Sequence, residues 1–109
     1  MQPFAFESKY VKCPSAFLQF GRYRNGAIAL MILDANNGDH LTTATVNLEA
    51  YGEMPDEGNV FIYGDYSEHE GVWEGLYKAG IVGEVSRRIP YGPYDAEAYE
   101  CKLLQGIIK

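Results

Sequence analysis

Three observations predict a β-rich α+β domain. Nine tyrosines and twelve glycines favour half-buried pleated surfaces joined by tight turns. Asn25-Gly26 lies between two apolar runs, which is the strongest short-range hairpin signal. One stretch, about 67–79, joins a helix-start pattern to apolar residues at helical spacing. With 109 residues, 47% of them hydrophobic, the chain can build one core but not two, so 1–109 reads as a single domain. The expected architecture is an antiparallel sheet of four to six strands, including a meander over 17–48, with one helix (about 67–79) packed on one face.

The elements follow in order. Phe4 to Cys13 alternates in part and reads as a first strand that Pro14-Ser15 ends. Phe17–Arg24 and Ala27–Leu33 flank Asn25-Gly26, for which a type I′ turn is expected. Asn36-Asn37-Gly38-Asp39 is the next turn. Thr42 to Leu48 then places Ala44, Val46 and Leu48 on one face of a third strand. Glu49–Asn59, with Gly52, Pro55 and Gly58 among acids, reads as an exposed loop. Val60-Phe61-Ile62-Tyr63 is a short apolar strand.

Ser67-Glu68-His69-Glu70 matches a capping box with Ser67 at the N-cap. Val72, Trp73, Leu76 and Tyr77 give the i, i+4 apolar pairs, and Gly80 ends the helix. Gly71 and Gly75 weaken it by about 1 kcal/mol each relative to Ala. Ile81–Ile89 is an irregular strand, Pro90-Tyr91-Gly92-Pro93 a turn, and Tyr99, Cys101 and Leu103 mark the inner face of a last strand.

Little of this carries recognisable chemistry. The two histidines, His40 and His69, lie in no nucleophile motif and read as exposed. Cys13 and Cys101, 88 positions apart, and the absence of a His pair at i, i+4 give no zinc spacing; no metal site and no cofactor is expected. Ser86-Arg87-Arg88 reads as a small solvated cluster. The start lacks a basic, apolar leader pattern, so a cytoplasmic protein with reduced thiols is expected, and no apolar run is long enough to span a bilayer.

The charge is more informative. The net charge of −6 disfavours direct nucleic-acid binding. Residues 1–48 hold four bases against three acids, residues 49–109 five bases against twelve acids, and Glu49 to Glu74 contains eight acids and no Lys or Arg. These are Glu49, Glu53, Asp56, Glu57, Asp65, Glu68, Glu70 and Glu74, interleaved with Tyr51, Tyr63, Tyr66 and Trp73. Together with Tyr66 the acids form the expected protein-binding surface, since such a field speeds and selects association with a basic partner. A solvated loop and outer helix face is the competing reading.

Tyr23-Arg24-Asn25-Gly26-Ala27-Ile28-Ala29-Leu30, followed by Leu41-Thr42-Thr43-Ala44-Thr45-Val46-Asn47-Leu48, resembles a small domain family of unknown function encoded on bacterial phages and mobile elements. Its members look like Y-x-N-G-x-x-A-I, then L-T-V-N-L, then an acidic helix ending in Gly and a Tyr-rich strand. Val72–Gly80 and Tyr94–Leu104 fit that plan, whereas Gly64-Asp65-Tyr66 stands where the family tends to have an Asn-Asn pair. No activity or catalytic residue comes with the resemblance. It implies a non-enzymatic accessory protein that binds and inhibits a basic host protein, anti-CRISPR or antirestriction in kind, as a nucleic-acid mimic. The alternatives are an interaction or scaffold domain, homodimeric through an exposed sheet edge, and a small enzyme or ligand-binding domain with His69 and buried carboxylates in a pocket.

Overall fold

The computed structural model describes residues 3–104. Its strands are β1 (Phe4–Glu7), β2 (Lys12–Arg22), β3 (Ile28–Asp34), β4 (His40–Thr43), β5 (Asn59–Tyr63), β6 (Val82–Tyr91) and β7 (Ala96–Leu103), with one α-helix, α1 (Val72–Lys78). The fold is α+β, as expected, but the strands form two sheets. The first is the meander β1-β2-β3-β4 and the second has the order β5-β7-β6; every pairing is antiparallel.

The two sheets are joined where a single long third strand was expected. β4 stops at Thr43, and the chain then passes from one sheet to the other. The Ala44 N–H donates to Leu30 in β3 at 2.9 Å, while the Ala44 carbonyl accepts from Tyr63 in β5 at 2.9 Å. Thr45 bridges Ile62, and its hydroxyl accepts from the Leu30 N–H at 3.0 Å. A buried polar residue is tolerated there because its hydroxyl and its carbonyl are both paired.

The residues quoted for the family resemblance meet at this junction. The Tyr23 hydroxyl lies 3.1 Å from the Thr45 carbonyl and 3.0 Å from the Thr45 hydroxyl, and the Asn25 amide donates to Asn47 at 3.1 Å. Their role here is to pin the β2–β3 hairpin to the crossover.

Local chemistry explains three further departures. The β2–β3 turn is not type I′: Gly26 has φ +91° but Asn25 does not take a positive φ. Gly26 N–H donates to Tyr23 and Tyr23 N–H to Ala27, a type I turn closed by a left-handed glycine. Pro14 does not end a strand. Phe4 pairs Ala16 while Phe6 pairs Cys13, so Pro14 and Ser15 oppose Ala5 in a bulge, where a missing N–H costs little.

The capping box does not form either. Ser67–His69 is a separate 3-10 turn, Glu70 is extended, and α1 begins after Gly71, whose φ of 87° is left-handed. Asp65 Oδ1, not Ser67, accepts from the Gly71 N–H, at 2.9 Å. The helix lies against β1, β5 and β6, with Val72 and Leu76 fully buried.

One main core of Phe6, Leu30, Ile32, Ile62, Leu76 and Cys101, among others, lies between the sheets and α1. Leu48, Phe61, Ile89 and Ala98 form a second, smaller cluster. β7 is the middle strand of its sheet, and at Glu100 the face away from the main core is covered by Arg87, Asn59 and the 53–56 loop. That puts Glu100, expected on a solvent face, inside at 1% exposure. No helix among the described residues is long and apolar enough to cross a membrane.

Candidate functional site

The topology disperses the acids that the sequence groups together. Bases from elsewhere in the chain reach four of them: Arg24 is 3.9 Å from Glu49, Arg87 3.3 Å from Glu53, Lys9 3.2 Å from Glu70 and Lys78 3.3 Å from Glu74. These pairs are largely solvated and add little stability, yet they cancel much of the local field. Asp65 is engaged with the Gly71 amide. Asp56 and Glu57 are exposed, and so is Glu68.

Glu70, Glu74 and Asp65 line a groove of about 730 Å³ beside β1, together with Lys9, Lys12 and Lys78. Its walls are therefore of mixed sign. Glu49, Glu53, Asp56 and Glu57 take no part in that groove.

Arg87 and Arg88 are exposed, as expected, and both are also engaged with carboxylates. Arg87 makes paired bonds to Glu100, Nη2 at 2.7 Å and Nε at 2.8 Å. The other Glu100 oxygen accepts from the Asp56 N–H at 2.7 Å and from Asn59 at 2.9 Å. Burial alone would raise the Glu100 carboxyl, but these donors outweigh it and hold the pKa below the ordinary 4.5. This cluster therefore ties the 53–56 loop to the second sheet. Arg88 sits over the Tyr99 ring at 4.8 Å and 3.7 Å from Glu97.

A different site emerges at the end of the second sheet. The β6–β7 turn carries Gly92, Pro93 and Tyr94, and the loop after β5 carries Tyr66, Ser67, Glu68 and His69. Between them lies a cleft of about 360 Å³, walled also by Tyr51, Tyr63, Tyr91 and Glu97. Five tyrosines and one proline give it an apolar floor and sides. Among the described residues, Glu68 and Glu97 are its only charged side chains.

Tyr63 stacks flat on His69, with ring centres 3.7 Å apart, and Tyr51 meets Tyr91 edge to face at 5.8 Å. Tyr51, Tyr66 and Tyr94 are 54%, 48% and 75% exposed, an unusual concentration of solvent-facing aromatic surface. Among the described residues, the hydroxyls of Tyr51, Tyr63 and Tyr91 have no hydrogen-bond partner within the chain.

Burial sets the protonation of the cleft. It pushes the Tyr63 phenol above 10.0, with Tyr23 and Glu68 adding to the shift. Tyr91 rises for the same reason, helped by Tyr63 and Tyr51. Burial also pushes the His69 imidazole below 6.5, against the pull of Glu68. At neutral pH Tyr63 and Tyr91 are therefore phenols and His69 is a neutral ring.

The backbone around it is strained. Ser67, with φ 55°, and Asp95, with φ 58°, are the two non-glycine residues in the left-handed region among the described residues. Ser67 belongs to one wall, and Asp95 to the turn that forms the other. Such strain costs about 1–2 kcal/mol and gathers at functional loops.

His69 thus lies in a cleft rather than on an open surface. Its Nε2 is 3.9 Å from Glu68, and no Ser, Thr or Cys is hydrogen-bonded to it among the described residues. Of the expected binding residues, Tyr66 and Glu68 line the cleft. Glu97 and the Tyr91-Gly92-Pro93-Tyr94 run were not expected there; their aromatic spacing was the available signal. Cys13 and Cys101 are buried free thiols, and burial pushes the Cys101 thiol up to about 12, so it is a packing residue rather than a nucleophile. The chain matches no protein-family model, no curated protein and no solved structure.

Proposed function

We propose that this chain is a non-enzymatic binding protein that captures a basic host protein at the tyrosine-lined cleft. In this reading it is an accessory protein of a phage or mobile element that inhibits its target by occupying a surface meant for another ligand. The observation that carries the reading is the make-up of the cleft: exposed aromatic anchors, two carboxylates, and no lysine or arginine. Tyrosine is among the commonest interface anchors because it buries a large rigid area and keeps a polar tip. Carboxylates at the rim select basic partners and repel polyanions. Two free, buried thiols fit a reducing compartment, and the cytoplasm is the proposed site of action.

The acids at Glu70 and Glu74 are not central to this reading, because lysines of the same chain already answer them; Glu97, which Arg88 answers at 3.7 Å, contributes less than Glu68. A homodimer through β6, the outer strand of the second sheet, is less favoured. That edge carries two bulges, Pro90, Arg87 and Arg88, which are the usual guards against edge pairing.

The test is a pull-down from bacterial lysate at low and high salt with three baits: wild type, a Tyr66→Ala/Glu68→Lys variant, and a Glu70→Lys/Glu74→Lys variant. A basic protein identified with wild type and with the second variant, lost with the first and released by salt, is the expected result. Equal capture by all three baits would sink the reading.

A further inference from the structure

Building on the reading that the cleft receives a basic partner, we propose that the partner enters as a proline-rich segment in the polyproline II conformation, with a basic residue beside Glu68. Three observations select that ligand over other peptide shapes. The first is the state of the backbone at the cleft. Tyr63 N–H donates to Ala44, Gly64 N–H to Glu97, and Tyr66 N–H to Gly64. With these three amides already bonded, strand addition, which draws its affinity from main-chain bonds, finds few donors along this wall.

The second is the donors that remain. The Tyr51, Tyr63 and Tyr91 hydroxyls find no acceptor among the described residues, and all three residues line the cleft. A polyproline II segment has no internal hydrogen bonds and presents its carbonyls outward, which suits phenolic donors set between ring faces. Proline rings also fill the slots between such faces at little conformational cost. The third is size and charge. A volume of about 360 Å³ suits one short turn of a narrow, extended segment rather than an α-helix some 10–12 Å across. The only charges lining the cleft are carboxylates, so a flanking Arg or Lys is attracted and an acidic or phosphorylated segment is excluded.

The test uses two fluorescein-labelled nonapeptides read by anisotropy at low salt. One has Pro at six positions followed by Ala and two Arg; the other replaces every Pro with Ala and keeps both Arg. The proline peptide is expected to bind roughly tenfold tighter or better. Tyr66→Ala and Tyr94→Ala, both at exposed rings, are each expected to weaken it by roughly threefold to tenfold. Tyr91→Phe removes a donor and is expected to weaken it severalfold with an unchanged circular-dichroism spectrum.

Equal affinity for the two peptides, with both weakened by Glu68→Gln, would overturn the polyproline assignment and leave the basic-partner reading standing. No binding of either peptide would overturn both. Proline-peptide binding that is indifferent to Tyr66→Ala, Tyr94→Ala and Tyr91→Phe would overturn the assignment to this cleft.

Discussion

Replacing Gly75 with alanine sets helix propensity against packing, and the structure decides the sign. Gly75 lies inside α1, where Gly→Ala ordinarily gains about 1 kcal/mol. A Cβ at this position, however, would fall 2.5 Å from the Glu7 carbonyl oxygen and 2.8 Å from Cε1 of Phe6. The oxygen belongs to β1, a strand paired to β2, so it cannot swing aside as a flexible side chain would. Overpacking of this kind costs about 1–3 kcal/mol, and a backbone neighbour argues for the upper end. The net expectation is a loss of about 2 kcal/mol after the propensity gain is subtracted.

Urea unfolding followed by the fluorescence of Trp73, the single tryptophan, reads it. With a slope of about 1.5–2 kcal/mol per molar, the midpoint falls by roughly 1 M. Gly83→Ala is the control, because its nearest neighbour, Lys102 Cβ, is 3.8 Å away and a change within about 0.5 kcal/mol is expected. A Gly75→Ala midpoint equal to or above wild type would refute the claim that β1 and α1 touch at this glycine.

The folded-state pKa of Glu100 lies below 4.5. Its contribution to stability is therefore complete above that value and is lost as pH falls through the folded pKa; Glu100→Gln should flatten this part of the pH–midpoint curve. His69 is also depressed, from 6.5, so folding favours its neutral form. Stability from this source is held above 6.5 and declines as pH falls toward the folded pKa. A cation formed there also opposes a basic ligand, so peptide affinity should drop over the same interval and His69→Gln should remove the drop. Tyr23→Phe deletes the hydroxyl that meets Thr45 and should cost about 1 kcal/mol by the same urea assay. A loss near zero would show that the hairpin is not pinned to the crossover there.

Much of the fold was legible because it is written in local chemistry. The meander follows from turn glycines and apolar runs, and Gly26 and Gly38, at φ +91° and +78°, mark its turns. The inner face of the last strand was also readable, since Cys101 and Leu103 alternate with exposed Lys102 and Leu104. What local patterns could not give was which sheet a strand joins. Ala44, Val46 and Leu48 alternate as expected, but Ala44 bonds to β3 on one side and β5 on the other, a choice made by tertiary packing. The capping box failed for a similar reason: Asp65, six residues before Gly71, reaches its amide, and Glu70 bonds Lys9 instead.

The candidate site was harder to read than the fold. Charges that are segregated along the chain are remixed in space, as Arg24, Lys9 and Arg87 approach acids 25, 61 and 34 positions away. The cleft draws on residues 51, 63–69 and 91–97. No window of sequence joins them until β5, β6 and β7 pair.

The most direct measurement is a two-dimensional amide NMR titration of the isotope-labelled protein with the arginine-bearing proline peptide. The expected result is a set of shifts confined to Tyr51, Tyr63–His69 and Tyr91–Glu97, with α1 and β1 silent. Shifts centred instead on Lys9, Glu70, Glu74 and Lys78 would assign recognition to the mixed-charge groove, and would contradict the cleft as the binding site.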